Sequence, residues 1–218
     1  MSGASEGSGG SGASGGRFGP DPQAFFADVY RQPAPWDVGA AQPALAAQLE
    51  AYPPAGAALD VGCGTGDLAI WLARRGLDVL GVDFVAAAVD EARARAAALP
   101  GDAAGRLAFE VGDALRPSAL GAAVGAVLDS GFLHLFDHAQ RDRFVDDLAR
   151  ALAPGGRYYL LAFAVTFPAE HVPLQVDAEE VHARFPAAAG WRVLACEPAE
   201  FLSRVGPVPA LRACVERA

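Results

Sequence analysis

The sequence predicts an α/β domain built on a doubly wound, mostly parallel, seven-stranded sheet. Three observations carry this. From residue 57 onward, short apolar runs alternate with longer helical stretches, the signature of parallel strands joined by crossover helices. A glycine-rich turn, Asp60-Val61-Gly62-Cys63-Gly64-Thr65-Gly66-Asp67, falls where the first run ends and the first of those helices begins. Two closing runs near the C-terminus read as strands of the kind that pair antiparallel at a sheet edge.

Taken in order, residues 1–16 are almost entirely Gly, Ser and Ala, with too little apolar surface to offset the entropy of ordering. They are excluded from the fold, leaving a single domain over 17–218. Residues 20–30 read as a short helix with Phe25, Phe26, Val29 and Tyr30 near one face, and Pro33 and Pro35 break it. A second helix covers 40–52, where Leu45 and Leu49 lie four apart and Pro53-Pro54 ends it. Together, 17–52 form an N-terminal helical lid. Strands are predicted over 57–61, 78–82, 107–111, 126–129 and 156–164, with helices over 67–75, 85–99 and 137–152 between them. In the last helix Phe144, Leu148 and Leu152 recur every four residues, and Pro154-Gly155-Gly156 turns the chain into the fifth strand. A helix over 178–185 and strands over 191–196 and 210–215 complete the domain.

Composition narrows the chemistry. All 17 basic residues among the 218 are arginine, so no lysine can form a Schiff base with pyridoxal phosphate or serve as a Walker lysine. The 26 acidic residues give a net charge of -9, which argues against counterion-release binding to nucleic acid or to an anionic membrane. A small, non-polyanionic molecule is the expected partner. No apolar run reaches membrane-spanning length free of charges or breakers, and no signal pattern opens the chain, so a cytoplasmic location is expected. Cys63, Cys196 and Cys214 are odd in number and lack CxxC spacing. His134 and His138 lie four apart without an HExxH glutamate, and His171 and His182 read as solvated. No metal site is expected.

The glycine turn carries most of the functional information. Glycines at 62, 64 and 66 let the backbone turn tightly and approach a ligand, while the following helix points free N–H groups at it. Asp83 closes the second strand 21 residues after Gly62, where a carboxylate can accept from both hydroxyls of a ribose. Asp113, in Gly112-Asp113-Ala114, closes the third strand within reach of an adenine amino group. A nicotinamide fingerprint would place its third glycine at position 67, which is aspartate here. Asp60, just before the loop, suits a cationic sulfonium better than a pyrophosphate, which it would repel.

These residues resemble the class I S-adenosylmethionine-dependent methyltransferases over roughly residues 40–218. The resemblance implies the Rossmann-like fold of that class and S-adenosyl-L-methionine as cofactor. It also implies that Gly62 and Gly64 line the methionine moiety with Asp60 nearby, that Asp83 holds the ribose with Phe84 beside it, and that Asp113 and Ala114 hold the adenine. The fourth motif, Val127-Leu128-Asp129-Ser130-Gly131, places Asp129 and Ser130 beside the donor methyl. A narrower resemblance lies in Pro35-Trp36-Asp37-Val38-Gly39-Ala40-Ala41-Gln42-Pro43, similar to a segment of small thiol, halide and heterocycle methyltransferases related to thiopurine methyltransferase. There Trp36 would cover the cofactor; alternatively it is an aromatic staple on the core.

Methyl transfer is a displacement at carbon, so positioning and desolvation can supply most of the catalysis. The Asn/Asp-Pro-Pro-aromatic motif of nucleic-acid amino methyltransferases is replaced by Asp129-Ser130-Gly131-Phe132, and neither Cys196 nor Cys214 follows a proline. What remains is Phe132-Leu133-His134-Leu135-Phe136. His134 is either the base that deprotonates an acceptor or a tie within the loop after the fourth strand. Tyr30, Phe132, Phe136 and Phe167 are expected to line the acceptor site with it, whereas Phe163 is either a further wall or core. The expected activity is methyl transfer to N, S or O of a small aromatic or heterocyclic molecule, in detoxification or natural-product tailoring. A thiol or halide methyltransferase and a non-catalytic cofactor-binding regulator are the alternatives.

Overall fold

The computed structural model describes residues 17–168 and 172–218; the predicted tail and His171 lie outside these. Strands β1 (Ala58–Val61), β2 (Val79–Asp83), β3 (Leu107–Val111), β4 (Val124–Ser130), β5 (Leu152–Phe163), β6 (Trp191–Ser203) and β7 (Gly206–Arg217) form one sheet in the order β3-β2-β1-β4-β5-β7-β6. Among them β7 alone runs against its neighbours, pairing antiparallel with both β5 and β6. The fold is the α/β architecture predicted from the alternating pattern.

Residue alternation explains why the sheet is covered on both faces. Along β5, Tyr158, Leu160 and Ala162 pack into one apolar layer, and Tyr159 and Leu161 into the other. The first layer is closed by α5 (His138–Ala151) and α6 (Ala178–Arg184) through Phe144, Leu148 and Val181. The second is closed by α2 (Pro43–Ala51), α3 (Asp67–Ala73) and α4 (Ala86–Ala97) through Leu45, Leu49, Leu68, Leu72 and Val89. A third cluster joins α1 (Pro22–Val29) to the start of α4 through Phe18, Phe26, Val85 and Ala88. Because β1 lies beside both β2 and β4, the chain leaves β1 and β4 in opposite directions, and a crevice opens beyond their carboxyl ends.

The helices begin where local chemistry starts them. Asp137 caps α5 in a reciprocal box with Gln140, and Asp177 caps α6 by accepting from the Glu180 N–H. Arg141 on α5 has 0% exposure and donates to the carbonyls of Leu133, Leu174 and Gln175 and to the Glu180 carboxylate. That guanidinium fixes the turn after β4 against the segment before α6.

Two strands extend well past their predicted ends. The predicted strands over 191–196 and 210–215 stop short of Pro198, Pro207 and Pro209, yet β6 and β7 continue through these residues. Pro207 and Pro209 pair with Leu202 and Glu200 of β6, and on their other side β5 ends at Phe163 opposite Ala210; the Pro209 carbonyl accepts from the Ala164 N–H there, so the missing N–H groups point past the end of β5. Pro198 lies on the edge strand. Leu152, predicted as the last turn of a helix, opens β5 instead, although its N–H still bonds the Leu148 carbonyl.

Candidate functional site

A cavity of about 500 Å³ lies beyond the carboxyl ends of β1 through β4, under the N-terminal segment. Its floor is the glycine loop. Gly62 and Gly64 have φ of +66° and +53°, in the left-handed region. A Cβ on Gly62 would lie 2.6 Å from the Phe132 ring, and one on Gly64 2.8 Å from the Tyr30 hydroxyl. Asp83 pins this loop to β2: one carboxylate oxygen accepts from the Gly64 N–H at 3.0 Å and the other from the Val85 N–H at 2.9 Å. Burial raises the Asp83 pKa against these hydrogen bonds. Asp60, also buried, has one carboxylate oxygen with no hydrogen-bond partner, and burial pushes its pKa up to about 8.

The roof is tied down on two sides by the segment from Pro35 to Gln42. Thr65 Oγ1 donates to Asp37 Oδ2 at 3.0 Å and accepts from Arg95 at 2.9 Å, and Arg95 also pairs with Asp67. On the other side, the Gln42 side chain exchanges two hydrogen bonds with the Leu202 backbone, at 2.9 and 2.7 Å, and the Arg204 N–H donates to the Pro35 carbonyl. Between these ties Trp36 donates to the Tyr30 hydroxyl at 3.3 Å, and both rings line the cavity. Past the glycine loop the cavity becomes aromatic, walled by Phe132, Phe136, Phe163 and Phe201 around His134.

Residues 58–156 match a family of methyltransferase domains. A 2-heptyl-1-hydroxyquinolin-4(1H)-one methyltransferase of Mycobacteroides abscessus is 30% identical over 149 residues, 65% of this chain. This chain spans 64% of that relative, less than two thirds of its length. A solved structure from work on the conversion of a disulfide bond into a thioacetal group during echinomycin biosynthesis has a TM-score of 0.75 and 29% identity. That match covers 89% of this chain and 92% of the other. The 1,6-didemethyltoxoflavin N1-methyltransferase of Burkholderia thailandensis shares the fold, with a TM-score of 0.65 at 20% identity, over 90% of this chain and 84% of the other.

Residues 58–156 thus form a methyltransferase domain, on the fold of the class I S-adenosylmethionine-dependent methyltransferases. The cofactor of this methyltransferase class is a sulfonium carrying an ammonium, a carboxylate, a ribose and an adenine, and the cavity fits it. The unpartnered Asp60 oxygen suits a cation, and the glycine backbone leaves room that a Cβ would fill. Each Asp83 oxygen keeps a lone pair for a ribose hydroxyl. Asp113 and Ala114 lie at the cavity's far end, where Asp113 accepts from the Leu115 N–H at 3.0 Å, and Phe84 and Ser130 line it too.

Four assignments made from the sequence change in the structure. Asp129 does not line the cavity: it has 0% exposure, and its carboxylate accepts from Phe132 N–H, Leu133 N–H and the Tyr158 hydroxyl at 2.7, 2.9 and 2.6 Å. It holds the turn after β4 from beneath. Phe167 stands behind Phe163, 5.5 Å away ring to ring, and Phe163 is the wall. His134 does not fit the expected base. Its Nδ1 accepts from the Phe163 N–H at 3.0 Å, which leaves the proton of the neutral ring on Nε2 and no free lone pair to take another.

Tyr30, expected at the acceptor, reaches over Gly64 instead, because the last turn of α1 ends above the glycine loop. Phe201 was missed because its strand was predicted to end at 196. Thr65 and Arg95 were missed because nothing in the sequence pairs residues 30 apart across a loop and a helix. Among the described residues, no group of three or more His, Cys, Asp or Glu could hold a metal ion. Nor is any described helix long and apolar enough to cross a membrane.

Proposed function

We propose that this chain transfers the methyl group of S-adenosyl-L-methionine to nitrogen, sulfur or oxygen of a small planar heterocycle. One observation carries the reading: a single cavity joins the acidic cofactor end, Asp60, Asp83 and Asp113, to an aromatic end closed by Phe132, Phe136, Phe163 and Phe201. In this reading the Gly62 and Gly64 backbone and Asp60 hold the methionine end, and Asp83 and Phe84 the ribose. Asp113 and Ala114 hold the adenine, with Ser130 beside the donor. Residues 17–52 act as a lid, with Trp36 and Tyr30 over the cofactor. The names of the hydroxyquinolone and didemethyltoxoflavin methyltransferases support a heterocyclic acceptor.

The cofactor supplies an electrophilic methyl on a cationic sulfur. When bound, it would offer that methyl to an acceptor lone pair, with the carbon–sulfur electrons left on sulfur. The residues around it stack the acceptor, orient it in line and exclude water, and those effects carry the rate. A dry aromatic wall favours neutral or anionic nucleophiles over protonated alkylamines, which lack a lone pair and are repelled by the sulfonium. A cytoplasmic site of action is part of the reading, supported by three unpaired cysteines.

The test is a screen of hydroxyquinolones, azoles, phenols, thiols and halide, read as S-adenosylhomocysteine formed. Turnover of the heterocycles above the rest supports the reading. Preference for simple thiols or halide would replace it with the thiol/halide alternative, and cofactor binding with no turnover would favour a regulatory module.

A further inference from the structure

We propose that His134 recognises the methyl acceptor as a hydrogen-bond donor, presenting its Nε2–H to a lone pair on an oxo, N-oxide, phenolate or thiolate group. The inference rests on reading the aromatic end of the cavity as the acceptor site. His134 has only 3% exposure, and its position is fixed from several directions. The Phe163 N–H donates to Nδ1 at 3.0 Å, and the Phe163 ring lies 4.4 Å away at 33°. The Leu174 N–H donates to the His134 carbonyl at 2.7 Å. Burial, with the Arg141 charge, lowers the pKa to about 3 and keeps the ring neutral.

The opposite edge of the ring is open. Nε2 makes no hydrogen bond to any described residue, and it faces the turn at Gly131, φ +86°. A Cβ there would sit 3.4 Å from Nε2 and 3.3 Å from Cε1. Glycine at this position therefore leaves the N–H edge uncovered directly after Ser130, at the end of β4. The N–H edge faces the cavity, and a ligand that seals the cavity without accepting from it would leave the donor buried and unpaired, at a cost. An oxo or anionic oxygen does so; a hydrocarbon edge does not. The enzyme thus selects acceptors already in their keto, oxide or ionised form and takes no proton from them.

Two measurements test this together. The imidazole ¹⁵N spectrum of the full chain, with His134 assigned by comparison with His134→Gln, is expected to show protonated Nε2 and unprotonated Nδ1 at pH 7. Binding of 1-hydroxyquinolin-4(1H)-one and of 1-methylnaphthalene is then compared, with S-adenosylhomocysteine present, in wild type and His134→Phe. The preference for the hydroxyquinolone is expected to fall about tenfold in the variant, with S-adenosylhomocysteine affinity unchanged. A proton on Nδ1, or an undiminished preference in His134→Phe, would overturn the assignment even if the cavity binds heterocycles. Wild type binding neither compound would overturn the heterocycle reading and this assignment with it. The ¹⁵N result is read on wild type, so it stands if His134→Phe fails to fold.

Discussion

Thr65 of the glycine loop donates to Asp37 of the N-terminal segment at 3.0 Å, so the loop under the cofactor cavity and the roof above it share one hydrogen bond. Arg95 completes the link from α4 by donating to the same threonine hydroxyl. The roof is thereby coupled to the loop whose backbone meets the ligand.

The first prediction follows from that link. Asp37→Ala and Thr65→Val should each weaken S-adenosylhomocysteine binding about tenfold, the size of one part-buried, charge-assisted hydrogen bond. Because both remove the same contact, the double variant should lose little more than either alone. Titration calorimetry on the three variants checks this. Additive losses would mean the two residues act separately.

Asp60 gives a pH prediction. Burial holds its folded-state pKa at about 8, while an unfolded aspartate ionises near about 3.9. Between those values the folded state binds more protons than the unfolded state, so this group makes stability fall as pH rises from about 4 to about 8. Asp60→Asn should flatten that part of the Tm profile and melt higher than wild type at pH 8. The ammonium of S-adenosylhomocysteine favours the charged carboxylate, so binding should expel a proton and wild-type affinity should rise with pH towards 8. Calorimetry in buffers of different ionisation heat measures that proton. No release, with an unaltered pH profile in Asp60→Asn, would remove Asp60 from the cation's surroundings.

How far the sequence could be read depended on range. That the glycine turn, Asp83 and Asp113 meet at one cavity was legible because one short stretch and two strand ends specify their places. The sheet was legible because strand and helix periods differ. The roles of Asp129 and His134 were not, because each is decided by a partner 29 residues away, Tyr158 for the aspartate and Phe163 for the histidine. The prolines of β6 and β7 misled for a related reason. Whether a missing N–H matters depends on which neighbouring strand has already ended.

Arg141 should matter for stability and not for cofactor binding. Arg141→Ala takes the buried guanidinium from four backbone carbonyls and leaves Glu180 with Arg184 as its arginine partner, and removing one member of such a buried pair costs about 3–5 kcal/mol. Urea unfolding of the variant should show this as a lower midpoint. A change within about 0.5 kcal/mol would show that water replaces the guanidinium without cost.

The two strand-end acids, Asp83 and Asp129, separate binding from folding. Asp83 lines the cavity and keeps lone pairs free for a ligand, although it also holds Gly64 in place. Asp129 has no exposure and spends its carboxylate on two backbone N–H groups and a tyrosine. Asp83→Ala should therefore lower S-adenosylhomocysteine affinity by about 1.5–3 kcal/mol, roughly tenfold to a hundredfold or more, through loss of a charged hydrogen bond to the ribose. Asp129→Ala leaves three buried donors unpaired, and should cost about 3 kcal/mol of stability. In the fraction that remains folded, affinity should stay within about threefold of wild type, because no atom of that side chain reaches the cavity. Paired calorimetry and urea unfolding read both quantities on both variants. If Asp129→Ala instead lost affinity as steeply as Asp83→Ala at unchanged stability, the carboxylate would have to reach the ligand, and its burial beneath the turn would be wrong.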